Sequence, residues 1–187
     1  MLDAAVDRFG RDGYGATSVA RIARDAGVSG SVAYAYFDDK EDLFLSALDQ
    51  DASAVIADGM VVVSDRAQRP TWRRDLMLAL VDSLDRHHLA RRVLANLEPH
   101  VTDRVADIPA LVELRAAVGD RLAAEQRVGL VRPDIDPVMV GSGLVAITMS
   151  LLMSTLQVGD RISGAYAAEI AAVLEAAIGP VAVGPAG

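Results

Sequence analysis

Apolar residues Leu2, Ala5, Val6 and Phe9 keep the three-and-four spacing of one helix face, and the pattern stops at GRDGYG, residues 10–15. After Thr17, whose hydroxyl suits a helix N-cap, Val19, Ile22, Ala23 and Ala26 repeat the spacing, and Gly27 supplies the C-terminal stop. A short turn then leads to a third helix, which Ser29 would cap and which ends near Phe37. Asp38 and Asp39 would cap a fourth, placing carboxylates at the positive end of its dipole. Its stripe of Leu43, Phe44, Ala47, Leu48, Val55 and Ile56 runs on until the break SDRAQRP at 64–70.

The remainder of the chain follows the same rule. Thr71 would cap a fifth helix over TWRRDLMLALVDSLDRH, a shorter one covers LARRVLANL, and EPHVTD interrupts. Pro109 sits at a favourable first position of a helix whose buried stripe is Leu111, Leu114, Val118 and Leu122. GLVRPDIDP at 129–137 is a loop, in which Asp134 and Asp136 suit turn solvation and capping of the next helix. Two helices follow, at about 137–158 and 164–178, before a frayed GPVAVGPAG tail. No alternating strand pattern between hairpin turns occurs. The prediction is all-α, with about nine helices.

Composition sharpens this reading. Hydrophobic residues make up 52% and aromatics 4%, so Ala, Val and Leu must fill most of the core, which suits helices better than sheets. The absence of cysteine removes disulfides, thiolate metal sites and cysteine nucleophiles, and is compatible with a reducing cytoplasm. No cationic n-region followed by an apolar h-region marks a signal peptide, so a cytoplasmic location is expected. Residues 137–159 carry no charge and are long enough to span a bilayer. Their Gly, Ser, Thr and Gln content, with Arg132 and Arg161 on both sides, favours burial in a core or between subunits, with no membrane partner. His87, His88 and His100 do not form a metal site by spacing, because helix neighbours point apart. No nucleophile–base set, phosphate loop or metal-ligand spacing is present, so neither catalysis nor a cofactor is expected.

Three short helices with a tight glycine turn between the second and third have the layout of a helix-turn-helix unit. The stretch GYGATSVARIARDAGVSGSVAYAYFDDKEDLF resembles the N-terminal domain of the TetR family of bacterial transcriptional regulators. Thr17, Ile22-Ala23, Ala26-Gly27-Val28-Ser29, Tyr34, Tyr36-Phe37, Lys40-Glu41 and Leu43 carry the resemblance, over about a quarter of the chain. It implies an N-terminal helix-turn-helix DNA-binding domain, residues 1–46. A helical-bundle domain for ligand binding and dimerisation, residues 47–187, follows it. The implied function is that of a small-molecule-responsive repressor, binding a near-palindromic DNA operator as a homodimer.

In such a unit the third helix enters the major groove. Ser29, Gly30 and Ser31 would let its N-terminus approach a phosphate, and Val32 would meet a thymine methyl. Tyr34 and Tyr36 would offer hydroxyls to phosphates or pack as surface aromatics, and Thr17 heads the second helix of the set. Lys40, the only lysine, would add a phosphate contact as its counterpart does in the family, or stand solvated at the helix start. The third helix lacks Arg, Lys, Asn and Gln, so base reading would lean on serine, tyrosine and shape. Net charge is −8 overall, and residues 1–46 hold five basic against eight acidic side chains, so a shallow salt dependence is expected. The acidic head also keeps open a second reading, a helical small-molecule-binding protein that no longer binds DNA.

The resemblance further implies an effector cavity in the bundle and dimerisation through the last two helices. Trp72, Met77, Leu80, Val118, Leu122, Met149 and Met153 are candidates to line a site for a small apolar or amphipathic effector. Methionine at helical spacing is more often plain core. Val145, Leu152, Leu156, Tyr166, Ile170 and Leu174 are the candidates for the dimer face.

Overall fold

The computed structural model describes residues 1–64, 72–99, 105, 107–158 and 163–180. Regular structure among them is helical: α1 Leu2–Asp12, α2 Val19–Asp25, α3 Gly30–Tyr36, α4 Lys40–Ser64, α5 Trp72–Ser83, α6 His88–Leu94, α7 Pro109–Arg127, α8 Pro137–Val158 and α9 Ser163–Ile178. Thr71 as a cap, His100 and the tail beyond Pro180 lie outside the described residues.

Local chemistry accounts for most boundaries. Gly13 (φ 82°) ends α1 and Gly27 (φ 70°) ends α2, both in backbone conformations that cost glycine little. Ser29 Oγ accepts from Val32 N–H at 3.3 Å and caps α3 as expected. Asp39 caps α4 by accepting from Asp42 N–H at 2.8 Å, and Asp42 reaches back to Asp38 N–H at 3.1 Å. Asp136 accepts from Val138 and Met139 and caps α8.

Thr17 departs from expectation. Ser18, one residue later, is the N-cap of α2, accepting from Arg21 N–H. Thr17 is buried, and its hydroxyl donates to Gly13 O at 2.8 Å, stitching the α1–α2 loop. The predicted fifth helix also overran. α5 stops at Ser83, whose hydroxyl turns back to Leu80 O, and a turn through Arg86 precedes α6. α6 ends at Leu94, three residues before the sequence pattern did, and Asn96 (φ 58°) closes the turn that follows.

The head is a compact aromatic frame. Phe9 meets Phe44 edge-on at 5.0 Å, Tyr14 meets Phe44 at 5.3 Å, and Phe9 stacks on Tyr14 at 6.0 Å. Arg8 of α1 pairs with both Asp12 and Asp25, clamping α1 to the end of α2. Those guanidinium bonds hold the Asp25 and Asp12 carboxyls below their usual range.

α4 is the spine joining head and bundle, packed on α1 at one side and on α5, α6 and α7 along its body. Two of its carboxylates hold other helices by their first turns. Asp49 accepts from Ala110 N–H of α7, and Asp51 from Ala90 N–H of α6, each at 2.8 Å. His87 Nδ1 lies 2.8 Å from the same Asp51. A second tie bypasses α4: buried Glu98 accepts from Tyr14 N–H at 3.0 Å and from Arg92 Nε at 2.6 Å, fastening the α1–α2 loop to the end of α6. α7 and α8 cross backbone to backbone, for a Cβ on Gly141 would lie 2.7 Å from Gly119 N. Side chains at either position would force the helices apart.

Candidate nucleic-acid interface and the cavity behind it

α3 presents a clean outer face. Ala33 is fully buried and Phe37 partly so, while Val32, Tyr34 and Tyr36 are 44%, 60% and 78% exposed. Seven residues with one buried alanine cannot hold themselves, so α3 is positioned by its cap, by α2 and by the turn at Gly27. Ser29 and Ser31 are exposed with hydroxyls 2.9 Å apart, and nothing lies within 4 Å of where a Gly30 Cβ would be. Six of the eight residues read from the sequence as DNA contacts (Ser29, Gly30, Ser31, Val32, Tyr34 and Tyr36) thus belong to one short surface element. Thr17 does not join them, since its side chain is buried and its hydroxyl is spent on Gly13.

Lys40 opens α4, and its Nζ lies 4.0 Å from the centroid of the Tyr14 ring. This offsets the cost of a cation at a positive helix end. Burial, then the charges of Glu41 and Asp39, push the Tyr14 hydroxyl up from its usual value, so it stays protonated. Sequence reasoning missed Tyr14 because its role depends on Phe9, Phe44 and Lys40 converging in space. The acidity of the head is partly spent internally: Asp12 and Asp25 pair with Arg8, and Asp39 and Asp42 bond backbone. Arg21 and Arg24 of α2 stand exposed.

Behind the head lies a cavity of about 110 Å³ enclosed by α4 to α9. Of the residues chosen from the sequence as candidates, Trp72, Met77, Leu80, Val118 and Met149 line it. Leu122 is fully buried and Met153 half-buried, and neither faces the cavity. Three residues chosen for a dimer face point inward instead: Val145, Leu152 and Leu174 line the cavity. Leu156 and Ile170 are half-buried, and the Tyr166 side chain lies outside the described residues. For Val145 and Leu152 the reason is the composition of α8. A helix without charges carries no polar stripe to mark its outer side, so face selection by apolarity fails.

The outer side of α8 is itself apolar, with Met139 73% and Ile147 43% exposed and Gly143, Ala146 and Ser150 between and beyond them. Pro137–Gln157 is long and apolar enough to cross a membrane by length and composition, and only 22% of that window is buried within the chain. Burial in the chain's own core, through Leu144, Val145 and Leu152, accounts for one side of the helix and leaves the other uncovered. α9 repeats the pattern with Ala172, Val173, Ala176 and Ala177 outward.

At the N-terminal end of α5 a charged cluster adjoins the cavity, unforeseen from sequence because its members are 52 and 102 residues apart. Arg73 bridges Glu125 of α7 and Glu175 of α9, and the Trp72 ring is flanked by the guanidiniums of Arg121 and Arg73 at 4.3 and 4.9 Å. Among the described residues no three His, Cys, Asp or Glu side chains gather as a metal site.

Comparison with known proteins agrees with this geometry. The family model described as "Bacterial regulatory proteins, tetR family" matches residues 1–47. A fatty acid metabolism regulator protein from Bacillus subtilis is 41% identical over 46 residues, which is 25% of this chain and 24% of that relative's length. A fatty acid degradation regulator from Bacillus halodurans is 16% identical, with 94% of this chain and 90% of that one superposed at a TM-score of 0.65. A TetR family transcription regulator from Marinobacter aquaeolei is 22% identical, with 96% and 93% covered at a TM-score of 0.55. Residues 1–47 match the tetR family of bacterial regulatory proteins, and the chain as a whole shares its fold with those solved structures.

Proposed function

We propose that the protein is a non-catalytic, cytoplasmic transcription regulator. Residues 1–46 act as its DNA-binding head, and residues 47–187 as a regulatory and dimerising body. The observation that carries this reading is α3, a capped surface helix whose polar and aromatic outer face, among the described residues, is bonded only within its own turn. A major groove admits such a helix, with Val32 against thymine methyls and the serine and tyrosine hydroxyls on phosphates and base edges. Lys40 and the exposed Arg21 and Arg24 supply phosphate contacts.

Two copies join through the outward apolar faces of α8 and α9, which offsets the exposure of an uncharged helix to water. The dimer holds two α3 helices about one helical turn of DNA apart on a near-palindromic operator. A small molecule entering the cavity favours the arrangement in which α4 and the Glu98 tie set the heads at the wrong spacing, and operator affinity falls by that preference. Repression is the expected mode, and the regulators of fatty acid metabolism and degradation among the similar proteins support an apolar effector.

Selection of bound duplexes from random sequence by the purified protein tests this. A near-palindrome with two half-sites is the expected product. Enrichment of nothing above the starting pool would support the rival reading of a helical binding protein without DNA activity.

A further inference from the structure

The outward face of α3 carries few groups that tell one base from another. The helix and its cap read SGSVAYAY, residues 29–36, and Ala33 is buried. Arg, Lys, Asn, Gln, Asp and Glu, whose fixed donors or acceptors match one base edge, are absent from this stretch. Ser31 and Tyr34 end in hydroxyls. A hydroxyl donates as readily as it accepts, so it bonds to any base edge and prefers none. The Ser31 hydroxyl also has that of Ser29 2.9 Å away, and Ser29 Oγ accepts from Val32 N–H. Arg21 and Arg24 belong to α2, the helix that crosses the DNA backbone in such a unit, where they meet phosphate whatever the sequence.

What remains for choosing bases is apolar. Val32 is 44% exposed and Ala35 is exposed too, and three residues apart they form one strip along the helix. The major-groove feature that such a strip distinguishes is the C5 methyl of thymine. Covering one methyl is worth about threefold to fourfold in affinity. No side chain of α3 holds a fixed partner for the thymine O4 acceptor or the cytosine N4 donor beside that methyl. The two bases are therefore told apart by the methyl, and a cytosine carrying a C5 methyl stands in for thymine.

We infer that α3 selects its operator by base C5 methyls, so that 5-methylcytosine is accepted where thymine is, and plain cytosine or uracil is not. This rests on the reading of α3 as the DNA-reading helix and adds which atoms it reads. It makes the protein responsive to cytosine C5 methylation, which turns an unread C·G pair into a read one without altering base pairing.

The operator obtained by selection is synthesised with each thymine position in turn changed, in both half-sites, to deoxyuridine, deoxycytidine or 5-methyldeoxycytidine, with the complement adjusted. Affinity is read by fluorescence anisotropy at fixed salt. At one or more positions uracil should weaken binding about threefold per half-site, about tenfold for the pair, and plain cytosine at least as much. At the same positions 5-methylcytosine should bind within about twofold of thymine. Val32→Ala cuts the strip back at an exposed site and keeps a good helix former there. At the position Val32 reads, this variant should bind the uracil and thymine duplexes within about twofold of each other, a levelling that a misfolded head would not produce.

A selected operator whose half-sites hold no thymine, uracil tolerated at every position, 5-methylcytosine binding no better than cytosine, or uracil penalties unchanged throughout in Val32→Ala would each overturn the inference. Where the selected operator is still bound, such a result leaves the DNA-binding reading standing. Selection that enriches no duplex overturns both.

Discussion

Glu98→Ala cuts a tie between head and bundle that does not pass through α4. The carboxylate is 4% exposed and accepts from Tyr14 N–H at 3.0 Å and from Arg92 Nε at 2.6 Å. Hydrogen bonds to a charged group contribute about 1.5–3 kcal/mol each. Arg92 is 27% exposed, so water takes over part of its share and its loss falls to about 1 kcal/mol. Tyr14 N–H, part-buried, loses its charged acceptor at a cost of about 2 kcal/mol. The sum is about 3 kcal/mol, or about 6–12 °C in Tm for a chain of this size. Urea unfolding and calorimetry at one fixed protein concentration would read it, since an associating chain gains apparent stability with concentration. Arg92→Ala and the double variant complete a cycle, with a coupling of about 1 kcal/mol expected between the two sites. A loss below about 1 kcal/mol with no coupling would refute the reasoning, because Glu98 would then be a bystander.

Other outcomes follow from the same geometry. Gly141→Ala places a Cβ 2.7 Å from Gly119 N, so α7 and α8 must separate; a loss of about 1–3 kcal/mol is expected by calorimetry, and no loss would show that the crossing gives way freely. Ile147→Glu puts a charge on the outward face of α8 and should yield a monomer by sedimentation, with operator affinity falling in parallel. Tyr34→Phe removes one hydroxyl from α3 and should weaken operator binding by about 1 kcal/mol in a titration while leaving Tm unchanged. The Asp25 and Asp12 carboxyls have folded values below their usual 3.8. Their pairing with Arg8 therefore stabilises the head above that pH and is lost as pH falls through the folded values. Tm followed from about pH 6 down to about pH 3 should drop less steeply in Arg8→Met than in the unaltered protein.

What the sequence made legible was local. Ser29 over Val32, Asp39 over Asp42, Pro109 at a helix start and Gly27 at a turn each act within four residues, so their chemistry can be read in line. The α3 face followed, because a seven-residue helix with one buried alanine has little choice of orientation. Thr17 failed narrowly: two adjacent hydroxyl residues can each cap a helix, and only the loop's return to Gly13 decides between them. On α8 the failure was deeper. With no charge between Pro137 and Val158, nothing in the pattern distinguishes the side of Leu152 from the side of Ile147. Contacts between distant residues, such as Glu98 with Tyr14 and Arg73 with Glu175, left no trace at all, since each charged side chain alone looks like an ordinary surface charge and a backbone N–H carries no sequence signal.

Whether one dimer lays two α3 helices on the same face of a duplex is measured most directly by varying half-site spacing. The selected operator and a version with about half a helical turn inserted between its half-sites are titrated with the protein at fixed salt. The insertion turns the second half-site to the opposite face, and affinity should fall at least about a hundredfold to that of a single half-site. Equal affinity for the two duplexes would contradict the paired presentation of α3.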